Sequence, residues 1–517
     1  MTEPPWWQSA VVYQVYPRSF RDTDGDGVGD LRGIIDGLDH LAWLGVDAVW
    51  LSPVFRSPMV DHGYDVSDYC DIDPTFGTLA DIDNLIAEAH RLGLRVLLDW
   101  VPNHSSDQHP WFLAARSSRD DPKRHWYVWR DGTPDERPND WKRAFPPGEP
   151  AWSWDDATEA WFLHLFTPEQ PDLNWDEPEL REAMLDTLRF WLDRGVDGFR
   201  MDVVHAIGKG ADLPDLTADE QQAPVPFIDV PRTHDHLRSI RSVLDGYPDE
   251  RVAVGEVYLL DPERVATYHG SGDELHLAFN FLPMFSRWRA SSWRRNIETA
   301  ARAFVADGHW PTWVLSNHDN ARHRTRYGGD ERIARAAAVL LLTLQGTPFL
   351  YAGEELGLED AVVPPDRVAD PEGGRRDGCR APLPWTSQPG HGWAGADPWL
   401  PFPPEAAHRS VEAQRADDRS ILHLYRQVLT TRRSSPALQL GDLELLDTPD
   451  APDVLAHRRR HETDERLVAV NFGGERVPSS ALPWLQERPV LVSSDSDRTL
   501  DEPIGAALAA YEAIITR

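Results

Sequence analysis

The sequence predicts an α/β protein built on a (β/α)8 TIM barrel, with a domain inserted after the third strand and an antiparallel β domain at the C-terminal end. Three observations carry this. Short β-branched or aromatic runs alternate with amphipathic helical stretches as far as about residue 435, and the alternation counts eight strands, where six would have suited a doubly wound sheet equally well. The alternation is interrupted after the third strand by a stretch too long for a loop. Beyond Pro436 it gives way to short β segments alone.

Taken in order, the barrel strands are expected at 11–15, 48–51, 95–100, 196–201, 252–256, 275–278, 313–316 and 347–351. Helical patterns lie between them, at 31–44, 79–92, 180–194, 296–305 and 332–344, where apolar residues recur every three or four positions. The interruption is rich in Trp, Pro and Asp. It divides the chain into a barrel of residues 1–104 and 176–435, an inserted domain of 105–175 and a sandwich-like C-terminal domain of 436–517. A second irregular insertion, 357–415, follows strand eight and is dense in Pro and Gly. The C-terminal β segments are expected at 443–446, 454–457, 467–472 and 490–493.

Composition narrows the function. With 517 residues and 41% hydrophobic side chains the chain is globular, and its 22 Trp suit a site that stacks flat, partly apolar ligands such as sugars. A net charge of −33 repels polyphosphates, so nucleic acid is not an expected partner. Only three of the 52 basic residues are lysines, Lys123, Lys142 and Lys209. Two cysteines, Cys70 and Cys379, are too few for a disulfide scaffold. Residues 1–5 lack the basic and apolar regions of a secretory leader, and no apolar run approaches a membrane span. The expectation is a cytoplasmic protein with no membrane partner, a monomer or small homo-oligomer.

The stretch around which the chain is organised is Gly198-Phe199-Arg200-Met201-Asp202-Val203-Val204-His205. Side chains of a strand alternate faces, so Arg200 and Asp202 point to one side. A guanidinium beside a carboxylate holds it ionised, which is what a nucleophilic carboxylate needs. Other strand ends add Asp99 with Asn103 and His104, then Glu256, then Asn317-His318-Asp319. In such a barrel the chemistry sits at the C-terminal ends of the strands. Several carboxylates on one rim suggest glycoside chemistry, with one as nucleophile and one as acid/base. Arg200 marks Asp202 as the ionised member, and Glu256, with no cation beside it in sequence, as the proton donor.

After the first strand comes Asp22-Thr23-Asp24-Gly25-Asp26-Gly27-Val28-Gly29-Asp30. Oxygens at alternate positions with Gly at the sixth fit a loop that wraps Ca²⁺. Position twelve is Gly33, not the Glu of an EF-hand. The expected ligands are Asp22, Asp24, Asp26, the Val28 carbonyl and Asp30, for a structural Ca²⁺ or Mg²⁺. No organic cofactor is expected.

The segments Asp99-Trp100-Val101-Pro102-Asn103-His104, Gly198-Phe199-Arg200-Met201-Asp202, Gly255-Glu256-Val257 and Ser316-Asn317-His318-Asp319 resemble, in order and spacing, the four conserved regions of glycoside hydrolase family 13, the α-amylase family. Gln170-Pro171-Asp172-Leu173-Asn174 resembles its α-glucosidase and oligo-1,6-glucosidase branch. The resemblance implies Asp202 as nucleophile, Glu256 as acid/base and Asp319 as transition-state stabiliser. It also implies His104, Arg200 and His318 on the bound glucose, and Tyr64 stacked beneath it. Asp61 is expected to pair with Arg380 and close the pocket floor, leaving room only for a non-reducing end. Phe166 and Gln170 are expected at the rim, and the acidic loop matches a metal loop of these glucosidases. The implied substrates are short α-glucosides.

Three further points bear on specificity. Cys379-Arg380-Ala381-Pro382-Leu383-Pro384-Trp385 stands where relatives usually have Ala-Arg-Thr-Pro-Met-Gln-Trp, which bears on the acceptor side. Arginines follow the fourth region in Asn320-Ala321-Arg322-His323-Arg324-Thr325-Arg326, without the acid of relatives that isomerise sucrose. Val203 accompanies α-1,6 activity in the resembled enzymes, whereas Met201 and the stretch 205–210 look more like broad-specificity α-glucosidases. Linkage, and the choice between hydrolysis and glucosyl transfer, stay open. A transporter-associated binding protein would lack these carboxylates and carry a membrane anchor.

Overall fold

The computed structural model describes residues 4–144, 148–210, 212–217, 229–371, 373–395 and 397–517. Residues 1–3, on which the expectation of a missing leader partly rests, lie outside them. Eight parallel strands form the barrel: β1 (Val12–Val15), β2 (Ala48–Leu51), β3 (Arg95–Trp100), β4 (Gly198–Met201), β5 (Val252–Gly255), β6 (Leu277–Ala278), β7 (Thr312–Val314) and β8 (Thr347–Tyr351). They are ordered β6-β5-β4-β3-β2-β1-β8-β7. At the remaining seam the Thr312 hydroxyl bridges the two edges, donating to the Ala278 carbonyl at 2.9 Å and accepting from the Asn280 N–H at 3.0 Å.

Nearly every strand residue is buried, because helices cover the outside and side chains fill the inside. Trp50, Phe279 and Phe349 pack in the barrel interior, with ring centroids 4.8–5.7 Å apart. Gly198 is required where β4 runs against β5, since a Cβ there would stand 2.2 Å from the Val252 carbonyl. The helices start on local signals. Thr78 and Asp81 form a capping box for Leu79–Arg91, and Asp30 caps Leu31–Leu44, which ends at left-handed Gly45.

Residues between β3 and the helix Pro178–Asp193 contain a three-stranded antiparallel sheet with Ala160–Leu163 between Trp129–Asp131 and Trp152–Asp155. An isolated bridge His104–Asp172 fastens the segment to the end of β3, and a second, Tyr127–Leu173, ties its returning stretch to its own sheet side. The C-terminal sheet has five antiparallel strands, ordered Asp442–Leu446, Val454–His461, Asp464–Asn471, Ala513–Thr516, Val490–Ser493. Buried Arg459 locks it to the barrel, donating to the Thr343 carbonyl at 2.7 Å at the end of the helix Glu331–Thr343.

The sequence reading needs three adjustments. β7 stops at Val314, and Ser316 to Asp319 belong to a turn closed by an Asn317–Asn320 bridge. The helix between β6 and β7 begins at Ala290 rather than 296, because its first turn is polar except for buried Ala290 and Trp293. The strand Ala513–Thr516 was not expected. It inserts between two strands earlier in the chain, a pairing that no local pattern announces.

Candidate active site

Arg200 stands at the centre of the β-strand C-terminal rim and is 2% exposed. Its Nη1 lies 2.7 Å from Asp99 Oδ1 and 2.8 Å from Asp202 Oδ1, and its Nη2 contacts Glu256 Oε2. One guanidinium therefore serves three carboxylates from the ends of β3, β4 and β5. Glu256 has no cation beside it in sequence, but the fold gives it one. Glu256 is 56 residues away in sequence, but the pairing of β4 with β5 carries it to the same side chain.

Burial, and next to it the facing Glu256 and Asp99 carboxylates, push Asp202 well above the usual carboxylate range, with Arg200 opposing them. Burial likewise raises Asp99 to about 7. Asp202 and Glu256 are brought together by Arg200, which contacts both carboxyls. Burial and Arg200 thus act against each other on Asp202, and the fold adds the Glu256 and Asp99 charges that adjacency in sequence leaves out.

Val203, directly after Asp202, has φ 36° and ψ 42°. A β-branched residue in the left-handed region is strained. The strain is tied to the site, for it aims the Val203 N–H at Glu256 Oε2, 3.3 Å away. His205 adds a contact between its Nδ1 and the Glu256 carbonyl at 3.1 Å.

Asp319 forms the opposite wall. Its Oδ1 accepts from Arg380 Nη2 at 2.8 Å and Arg376 Nη1 at 3.3 Å. Despite its burial, these two arginines hold its carboxyl far below the usual range. His318 lies between Gln14 and Tyr64. Gln14 Nε2 donates to Nδ1 at 2.7 Å, which leaves the ring proton on Nε2, 2.5 Å from the Tyr64 hydroxyl. Burial pushes His318 down to about 3, so the ring is neutral. The Tyr64 ring stacks on it at 5.5 Å and 8°.

The floor is closed by a different arginine from the one expected. Asp61 pairs with Arg376, 2.7 Å from its Nη2, and not with Arg380. Arg380 turns instead to the His318 carbonyl at 2.7 Å and to Asp319. The reason is Asp370, 2.8 Å from Arg376, which holds that side chain across the floor. Neither Asp370 nor Gln14 was named from sequence. An acid six residues before an arginine, and a glutamine in a first strand, are too common to signal a site. From the inserted segment, Phe166 packs on His104 with centroids 4.9 Å apart. Gln170 Nε2 lies 3.2 Å from His104 Nε2 and 3.5 Å from Asp61 Oδ2. All twelve expected catalytic and sugar-binding residues therefore join one contact network.

In the acidic loop, carboxylate oxygens of Asp22, Asp24 and Asp30 lie within 4.8 Å of one another, a donor set that fits a hard cation. Asp26 is outside that group, its Oδ1 accepting the Val28 N–H at 2.7 Å. Asp22 also accepts N–H bonds from Gly25, Gly27 and Gly395, which tie the loop to the insertion after β8.

The model for the α-amylase catalytic domain matches residues 14–441. A probable α-glucosidase of Rhizobium meliloti (strain 1021) is 41% identical over 94% of this chain and 92% of its own. An oligo-1,6-glucosidase of Parageobacillus thermoglucosidasius is 36% identical over 93% and 92%. Among solved structures, the α-glucosyl transfer enzyme XgtA is 38% identical, with a TM-score of 0.89 over 99% of both chains.

Proposed function

The chain belongs to the α-amylase family of glycoside hydrolases, and from that premise we propose that it is a retaining exo-α-glucosidase, releasing α-glucose from the non-reducing end of short α-glucosides. The observation that carries this reading is Arg200 holding Asp202 and Glu256 on its two terminal nitrogens. Carboxyl groups on one guanidinium fit the roughly 5 Å spacing of a retaining pair, and not the wider gap of about 6.5–9.5 Å that admits an inverting water.

In the reaction Asp202 attacks the anomeric carbon while Glu256 gives its proton to the departing glycosidic oxygen. That leaves a β-glucosyl ester on Asp202 and a carboxylate on Glu256. Glu256 then takes a proton from water, whose oxygen displaces Asp202 with a second inversion and restores the α configuration. Two donors already on Glu256 Oε2, from Arg200 and Val203, assign the transferable proton to Oε1. Asp319 is ionised and fixed by two arginines, suited to binding sugar hydroxyls. The Asp61–Arg376 pair supports exo action by closing the far end of the pocket. A sugar replacing water in the second half gives glucosyl transfer from the same ester. A Ca²⁺ or Mg²⁺ held by Asp22, Asp24 and Asp30 would be structural, stiffening the loop after β1.

The test is proton NMR of maltose and isomaltose mixed with the purified protein. Release of α-glucose supports retention, and initial β-glucose would overturn the roles given to Asp202 and Glu256. The faster-falling linkage signal decides between a broad α-glucosidase and an oligo-1,6-glucosidase.

A further inference from the structure

Lys209 is one of three lysines in the chain and is 7% exposed. Its Nζ lies 2.9 Å from Asp172 Oδ2 and 2.7 Å from Asn103 Oδ1, and it also contacts the Ala206 carbonyl. Three acceptors around one nitrogen suit a compact ammonium, and a planar guanidinium would not fit them. The three belong to the end of β3, the returning strand of the inserted segment, and the loop behind the Asp202 turn.

The contact with Asn103 has a chemical consequence. An ammonium only donates, so the atom of Asn103 that faces it is the oxygen. The Asn103 amide nitrogen is then the atom 3.2 Å from His104 Nδ1. Nδ1 must accept, and the ring proton sits on Nε2, where it donates to the Tyr64 carbonyl at 3.1 Å. His104 is neutral, pushed down to about 3 by burial, so its tautomer is a real choice. Gln170 Nε2 is also a donor, 3.2 Å from that same Nε2, because the Gln170 Oε1 is taken by Thr167. Two N–H groups thus lie side by side with no hydrogen bond between them. The Tyr64 carbonyl accepts from His104 and Asp61 Oδ2 lies 3.5 Å from the Gln170 amide, so an incoming oxygen that takes both N–H groups shares them with these acceptors. In the other tautomer Nε2 would accept from Gln170, and this pair of donors would satisfy itself.

We propose that Lys209 is a positioning residue that sets the His104 tautomer through Asn103 and so keeps His104 and Gln170 as a ready pair of donors for a sugar hydroxyl. The sugar part of this rests on the function proposed above, whereas the tautomer part does not.

The experiment uses the full chain labelled with ¹⁵N-histidine, with His104 identified among the 20 histidines by His104→Gln. Long-range ¹H–¹⁵N correlation then reads which ring nitrogen is protonated. Asn103→Asp keeps an anionic acceptor for Lys209 but cannot donate to Nδ1. Lys209→Met combined with Asp172→Asn removes the ammonium without leaving a buried charge. The wild type is expected to carry its proton on Nε2, and both variants are expected to lose that single state. With maltose, KM should rise tenfold or more in both, while kcat changes only a few-fold. A wild-type proton on Nδ1, or variants that keep the wild-type tautomer, would overturn the relay. An altered tautomer with unchanged KM would overturn the donor role. If the wild type cleaves no α-glucoside, the proposed function fails while the tautomer readout still decides the relay.

Discussion

Arg376 joins Asp61 and Asp319: its Nη2 lies 2.7 Å from Asp61 Oδ1 and its Nη1 3.3 Å from Asp319 Oδ1. The arginine that pairs with Asp61, proposed to close the pocket floor, is therefore also one of the two that hold Asp319, the proposed transition-state stabiliser. Removing one partner of a buried ion pair leaves the other charge uncompensated, at a cost of about 3–5 kcal/mol. Arg376→Met should lower kcat/KM for maltose by about a hundredfold or more. Arg380→Met leaves Asp61 paired, so it should preserve the strict preference for a non-reducing end. Chain-length profiles on maltose to maltopentaose check both, and equal profiles for the two variants would remove Arg376 from the floor.

Asp202→Ala removes the atom that forms the glucosyl bond. Turnover should fall by about four orders of magnitude or more, in line with losses of essential nucleophiles. The fold should survive, because Asp202 lies in the turn just beyond β4 and Arg200 keeps Asp99 and Glu256 as partners. Circular dichroism and binding of a glucose-like inhibitor measure the fold, and kcat measures the rest. Near wild-type turnover would withdraw the nucleophile.

Burial predicts a pH effect. It raises Asp202, with Arg200 opposing it, so the nucleophile is lost as pH falls through a value above the ordinary carboxylate range. Where Asp202 is ionised and Glu256 carries the proton, Glu256 bears no charge, and Glu256→Gln stands in for that neutral acid. Assayed with an aryl α-glucoside whose leaving group needs no proton, the variant should therefore keep the acid limb of the wild type. A limb that moves to lower pH would show that the Glu256 charge, and not burial, holds Asp202 up.

The barrel was legible because each strand is an apolar run bounded by turn residues, and a parallel strand inside a barrel needs little more. The gathering of the expected residues was legible for a related reason: Asp202 and Glu256 follow β4 and β5 directly and Asp319 lies in the turn after β7, so position along the chain gives position on the rim. Partners were not. Arg376 and Arg380 are four residues apart, both within reach of the pocket, and only the folded position of Asp370 decides which of them turns to Asp61. The surroundings of Asp202 were legible only in part, because adjacency in sequence gives Arg200 but not Glu256 or Asp99. Lys209 stood out by rarity alone, and its acceptors lie 37 and 106 residues away, beyond any local pattern.

The acidic loop should respond to cations. If Asp22, Asp24 and Asp30 hold one, saturating Ca²⁺ at a hundred times Kd adds about 2.7 kcal/mol to stability. Chelation should lower Tm by several degrees, Ca²⁺ or Mg²⁺ should restore it, and Asp24→Asn should weaken the response. A Tm indifferent to chelator and cation would remove the metal from this loop.

Glu354 gives a stability effect remote from catalysis. It is 1% exposed, and the nearest histidine, His323, is 3.9 Å away and pushed down to about 3. Burial raises the Glu354 carboxyl from 4.5 to about 8, against weaker pulls from Ser316 and Arg322. Between those two values the unfolded chain gives up the proton and the folded chain keeps it. The folded state therefore binds more protons, and stability falls as pH rises through this window, with a slope of up to about 1.4 kcal/mol per pH unit. Below the unfolded value the contribution is complete, and above about 8 it is gone. Glu354→Gln keeps the shape without the titration, so the variant should match the wild type near pH 5 and exceed it near pH 9. Calorimetric Tm values across that range measure the difference between the two. A constant difference at every pH would mean that Glu354 does not titrate between the two states.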